Sequence, residues 1–139
     1  MQREFHQVRT TFILKTVVTS MKSNQAEAFS QRGLDQLASG SAAEAILSFR
    51  AAMAADPDHI EAHHGLIRAL RDNGQLEQSI GAALALTALT PTDPLAHTAL
   101  SISLQRAGHV PEAEAAAARA RILEWKAELQ SPADKDDGR

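Results

Sequence analysis

The sequence predicts an all-α fold, an α-solenoid of three tandem helix–turn–helix repeats. Three observations predict it. Gly40, Gly74 and Gly108 recur at a spacing of 34, as do Pro57 and Pro91, Ala62 and Ala96, His63 and His97, Leu66 and Leu100, and Leu70 and Leu104. A fixed period of this size marks a repeat architecture. Between the glycines the apolar residues follow helical spacing, and no stretch after residue 25 reads as a strand. Alanine occurs 27 times while aromatic residues make up only 4%, a composition suited to helices that approach closely.

Residues 1–25 differ from the rest of the chain. They lack alanine and are rich in β-branched residues (Val8, Thr10, Thr11, Ile13, Thr16, Val17, Val18, Thr19), which disfavour helix slightly. They make a poor signal peptide, because Lys15 and Thr16 interrupt the apolar run and no A-x-A-like site comes after it. Nothing approaches the roughly 20 apolar residues of a membrane span. The expectation is a poorly ordered N-terminal arm, or an upstream extension of a chain whose true start is Met21-Lys22-Ser23-Asn24.

The repeat domain spans residues 26–130, as units 26–59, 60–93 and 94–130. In unit one, Ser41 and Glu44 form an S-x-x-E capping box that starts a second helix. That helix runs through Ala45, Ile46, Phe49, Ala52 and Met53 and stops at Asp56-Pro57. In unit two, Ile60, His63, Leu66, Ile67 and Leu70 form an amphipathic stripe, ended by Asn73-Gly74. In unit three, Asp93 is an N-cap and Pro94 occupies the first helical position. Its second helix runs on through Ala113, Ala117, Ala120, Leu123, Trp125 and Leu129 to Ser131-Pro132, leaving a disordered polar tail over 131–139. Repeat arrays need a polar cap after the last unit, and the sequence offers none. Trp125 and Leu129 are therefore expected either to fold back on the last hairpin or to form an oligomer surface, giving a homodimer through the C-terminal helix.

The pattern resembles the tetratricopeptide repeat, a family of 34-residue helix–turn–helix units. Unit one carries the resemblance at Gly33, Gly40, Ala45, Phe49, Ala52 and Asp56-Pro57. Unit two carries it at Leu66, Gly74, Ile80 and Pro91, with Ser79 and Leu86 in place of small alanines and Ile67 where the family prefers a small residue. Unit three carries it at Leu100, Ser101, Gly108, Glu112, Ala113 and Ala120, without a terminal proline. The resemblance implies a right-handed superhelical stack whose first helices line a concave groove for a peptide or a partner's helix.

The positions that face inward by that resemblance are Glu27, Ser30, Leu34, Leu37 and Ala38, then Glu61, His64, Arg68, Arg71 and Asp72, then Leu95, Thr98, Ile102, Gln105 and Arg106. The expected partner-binding groove (Leu34, Leu37, His64, Arg68, Arg71, Leu95, Ile102 and Arg106) is apolar at its flanks and basic in the middle. It suits a protein or peptide ligand bearing an acidic group, because a planar guanidinium bonds carboxylates bidentately. The family's chaperone-tail carboxylate clamp is not expected, since Ser30, Leu34, Gly65, Leu95 and Ala99 stand at its positions.

Other classes find less support. A net charge of −3 argues against a nucleic-acid partner. No phosphate-binding glycine motif and no nucleophile elbow occur, and zero cysteine removes thiol chemistry. His59, His63 and His64 could in principle bind metal, but the run His59-Ile60-Glu61-Ala62-His63 misplaces the glutamate of an H-E-x-x-H site. His63 and His97 share one repeat position, occupied in unit one by Phe29, which favours a packing slot for a flat ring. The acidic pairs Glu112/Glu114 and Asp136/Asp137 read as solvated. The expected protein is a small cytoplasmic adaptor with no catalytic site, metal, cofactor or membrane partner. The alternatives are a secretion-type chaperone, since type III chaperones of translocator subunits are similar in having three such repeats and an arm, and a metal-binding protein or metal-dependent enzyme.

Overall fold

A computed structural model describes the backbone of residues 2–131 and the side chains of residues 9–131. It contains six helices: α1 (Gln2–Ala38), α2 (Ala42–Ala55), α3 (Ile60–Asp72), α4 (Leu76–Leu89), α5 (Pro94–Arg106) and α6 (Val110–Gln130). Each helix packs on its predecessor, and α1, α3 and α5 also touch in sequence, so the first helices of the three hairpins form a continuous row. This is a helical solenoid, with no strand among the described residues.

The turns explain the 34-residue period. Gly40, Gly74 and Gly108 have φ of 80°, 77° and 86°, a region that side chains with a Cβ rarely adopt. Around Gly74 the Gln75 N–H donates to Leu70 O at 2.9 Å and the Gly74 N–H to Arg71 O at 3.0 Å. The same two bonds recur at Gly40 and Gly108, which makes each turn a Schellman stop. Asp93 caps α5, its carboxylate accepting from the Leu95 N–H at 3.0 Å.

The Ser41 capping box does not form. Ser41 makes no side-chain cap bond, and its N–H, which the box would give to the Glu44 carboxylate, donates instead to Gln36 O at 2.8 Å. One residue has to close α1 and open α2, and the Schellman turn sets its dihedrals away from the usual N-cap conformation.

The expected disordered arm is helical in the structure. Residues 2–25 continue α1 without a break, since no glycine or proline interrupts them. The Thr16 and Thr19 hydroxyls donate to the carbonyls of Phe12 and Lys15 at 2.9 and 2.8 Å, so these threonines join the helical ladder. Every side chain from Arg9 to Gln25 is nevertheless exposed, and burial begins at Ala26. Residues 132–139, which include Asp136 and Asp137 and most of the expected polar tail, lie outside the described residues.

Two contiguous clusters make the core. The first gathers Ala26, Ala45, Ile46, Phe49, Ala52, Ala62, Leu66, Ala69 and Leu70. The second gathers Ile67, Ile80, Ala83, Leu86, Ala96, Ala99, Leu100 and Ala116. Size compensates across corresponding positions. In unit one a glycine on the first helix, Gly33, receives the Phe49 ring from the second. In unit two the same two repeat positions hold Ile67 and Ala83, so bulk is supplied by the opposite helix. A Cβ at Gly33 would lie 2.7 Å from the Phe49 ring, and one at Gly65 only 2.2 Å, so the ring is seated against α1 and α3 together.

This contact gives opposite expectations for two glycines. Gly65→Ala drives a methyl into the ring and should cost about 1–3 kcal/mol or more. Gly81→Ala, exposed within α4 with nothing within 4 Å of the added carbon, should stabilise by about 0.5–1 kcal/mol. Urea unfolding of both variants checks the pair.

Candidate functional site

The row of first helices creates a groove between α3 and α5. On α3, His64, Arg68 and Arg71 stand at i, i+4 and i+7, hence on one face. On α5, Leu95, Thr98 and Ile102 stand at i, i+3 and i+7 and meet them from the other side. With Ile67 and Ala99 these residues line a hollow of about 300 Å³. Ile67 is fully buried and belongs to the second core cluster, so the core itself contributes to the lining.

The polar groups of this hollow are incompletely satisfied. One guanidinium nitrogen of Arg71, Nη1, is shut off from solvent without a hydrogen-bond partner, and the same holds for His64 Nε2. Burial lowers the Arg71 pKa, with Arg106 and Arg68 adding to the effect and Asp72 opposing it. Arg68 has a partial counter-charge, its Nε lying 3.8 Å from Asp72 Oδ2. A guanidinium nitrogen buried without a hydrogen-bond partner is costly, and an incoming anion that accepts from it removes that cost. The arrangement can therefore seat apolar side chains beside Leu95 and Ile102 while presenting Arg71 to a carboxylate.

Of the eight expected groove residues, five (His64, Arg68, Arg71, Leu95 and Ile102) come together here. Arg106 is exposed and close enough to Arg71 to perturb it, but does not line the hollow. Leu34 and Leu37 fall elsewhere. They are half-buried against the first core cluster, because α3 packs beside α1 and its Leu66 and Leu70 belong to that cluster. Ser30, also expected to face inward, is 1% exposed. Sequence reasoning missed Ile67 and Ala99; the signal for Ile67 was a large residue at a position where a small one was expected.

The histidines separate. His63 Nε2 lies 2.7 Å from the Pro57 carbonyl, and His97 Nε2 lies 3.0 Å from the Pro91 carbonyl. Each ring fastens its helix to the turn before it, so the shared slot is a hydrogen bond to a turn rather than a ring packed between helices. Phe29 has no such turn before it and lies 37% exposed. His64 points into the groove and His59 lies beside Glu27 and Glu61, so the expected alternative cluster of His59, His63 and His64 is not assembled. A second hollow of about 480 Å³ lies within the first hairpin, lined by Phe29, Arg32 and Gln36 of α1 and by residues of α2 that include Glu44 and Leu47. Its polar floor is internally satisfied, the Ser48 hydroxyl donating to Gln36 Oε1 at 2.6 Å.

At the far end of the array, Trp125 and Leu129 are 62% and 59% exposed, so they do not fold back on the last hairpin. The outward face of α6 carries them because α5 covers only its other side.

A tetratricopeptide-repeat profile matches residues 36–102. No curated relative matches at the level of sequence. Among solved structures, the type III secretion translocator chaperone SycD of Yersinia enterocolitica is 20% identical, with 86% of this chain and 87% of that chain covered and a TM-score of 0.72. SycD has also been solved with a peptide of the translocator YopD. The second tetratricopeptide domain of Spaghetti (RPAP3), bound to the HSP90 peptide SRMEEVD, is 17% identical over 81% of this chain and 97% of that one, with a TM-score of 0.72. MamA is 19% identical over 78% of this chain but only 63% of its own length, with a TM-score of 0.70. At these identities the likeness establishes the fold.

Burial lowers the pKa of His64, with Asp93 opposing and His63 reinforcing the shift. The unfolded chain then takes up a proton near the ordinary value of about 6.5 while the folded chain resists it, so stability falls as pH drops through and below that value. Chemical unfolding between about pH 7.5 and 5 should show this loss in the wild type, and the His64→Gln variant should show a smaller one.

Proposed function

We propose that the chain, whose residues 36–102 match a tetratricopeptide-repeat profile, is a protein-interaction adaptor that binds a peptide or a helix of a partner in the groove between α3 and α5. The observation that carries this reading is the unpartnered, solvent-excluded nitrogen of Arg71 set among apolar side chains. It selects a ligand with apolar anchors and a carboxylate, supplied by an acidic residue or a chain terminus. The peptide complexes of SycD and Spaghetti support the general mode, in that related folds hold peptides. The secretion-chaperone alternative is a narrower form of the same activity. Tetratricopeptide folds are typically non-enzymatic, and catalysis is no part of this proposal. No described helix is long and apolar enough to cross a membrane.

Panning a displayed random-peptide library against the full chain tests the groove. Enriched peptides should combine spaced leucine or isoleucine with Asp, Glu or a free carboxylate. Arg68→Ala/Arg71→Ala should weaken their binding at least tenfold, and undiminished binding removes the assignment.

A second reading concerns the outer face of α6, where exposed Ile122, Trp125 and Leu129 stand at i, i+3 and i+7. Such a strip is suited to covering by a second copy of the chain. Light scattering over a concentration range should show the mass rising toward that of a dimer, with Trp125→Glu holding it at the monomer. A monomer at all concentrations excludes this reading.

A further inference from the structure

Glu27, His59 and Glu61 each bring one ligand atom to within 4.8 Å of those of the other two. They come from separate places in the chain: Glu27 from α1, His59 from the turn before α3, and Glu61 from the first turn of α3. His59 Nε2 lies 3.6 Å from a Glu27 oxygen and 3.9 Å from a Glu61 oxygen. These distances are too long for hydrogen bonds. They are close to the separation of about 3.4 Å between ligand atoms that share a tetrahedral zinc ion at bond lengths near 2.1 Å.

Two further observations concern His59 itself. Its side chain is only 14% exposed, and Nε2 is shut off from solvent without a hydrogen-bond partner. His59 also stands at the N-cap of α3 yet makes no side-chain cap bond. One period later the corresponding residue is Asp93, which caps α5 through its carboxylate. Histidine thus replaces a good capping residue at this one repeat junction, and its ring is turned toward two carboxylates instead. A shared cation would satisfy the orphaned nitrogen and relieve the repulsion between the carboxylates.

We infer that Glu27, His59 and Glu61 form a site for a divalent transition-metal ion that ties α1 to α3. One imidazole nitrogen with two carboxylate oxygens is a donor set for zinc or a similar borderline ion, with further positions left to water. Glu27 and Glu61 are more than half exposed, so the ion reaches the site from solvent. Its effect is mechanical, since it clamps the first unit to the second at the junction where the Phe49 ring already joins them. This site is separate from the groove between α3 and α5 and stands or falls independently of it.

Calorimetric titration of the full chain with Zn²⁺ in a non-chelating buffer tests the site. One saturable ion per chain is expected, with affinity reduced at least tenfold in both His59→Ala and Glu27→Gln. His109→Ala, which removes an exposed histidine paired with Glu77 at 3.1 Å, should leave the titration unchanged. Because the ligands converge only in the folded chain, Zn²⁺ should also raise the melting temperature of the wild type, reversibly with EDTA. Glu27→Gln alters an exposed residue and keeps the test valid if His59→Ala fails to fold. Absence of a saturable site, or binding unaffected by Glu27→Gln, overturns the assignment and leaves a plain His–carboxylate ion cluster.

Discussion

Close approach between neighbouring helices, permitted by alanine and glycine at the contacts, is the constraint on which the rest of the structure depends. Phe49 shows it most directly. Its ring occupies space left by two missing side chains, Gly33 on α1 and Gly65 on α3, and so joins the first unit to the second. Buried interiors are packed too tightly for such a ring to be accommodated by adjustment elsewhere. In the second unit, Ile67 supplies the bulk from the first helix and Ala83 makes room on the second. Helix spacing is maintained along the array while the bulky partner changes sides.

That exchange also shapes the surface available for binding. With Ile67 reaching the bottom of the groove between α3 and α5, the hollow has an apolar base continuous with the core, and Arg71 is half removed from water beside it. A guanidinium on an open helix face would be solvated and would distinguish poorly among anions. Here the desolvation has already been incurred on folding, so a carboxylate ligand gains more from the contact. The two ends of the array contrast with this interior groove. Among the described residues, nothing covers the exposed apolar residues of α1 ahead of Ala26 or those near the end of α6.

Period, turn chemistry and helix order were legible because each has a local cause. A positive-φ glycine stops a helix wherever it occurs, and Asp93 caps with its own side chain. Ser41 shows the limit of local reasoning, since the preceding turn had already committed its backbone. The first 25 residues show another limit. Weak β-branched propensity did not stop the helix from extending from its packed part, which starts at Ala26, back to Gln2, since no glycine or proline lies among residues 2–25.

The sequence by itself determined that three helical hairpins repeat, where each turns, and that most of the inner groove carries arginine and aliphatic residues. These are consequences of residue type at fixed spacing, which any helix displays without reference to its neighbours. Only the tertiary structure decided which of those positions remain available. Leu34 and Leu37 pack against the core cluster shared with α3, while Ile67 reaches both core and groove. It alone set Glu27 beside His59 and Glu61, over thirty positions away in the chain. Such meetings depend on the angle and distance at which one hairpin rests on the next, and those are set by side-chain volumes summed across three helices at once, which no single stretch of sequence contains.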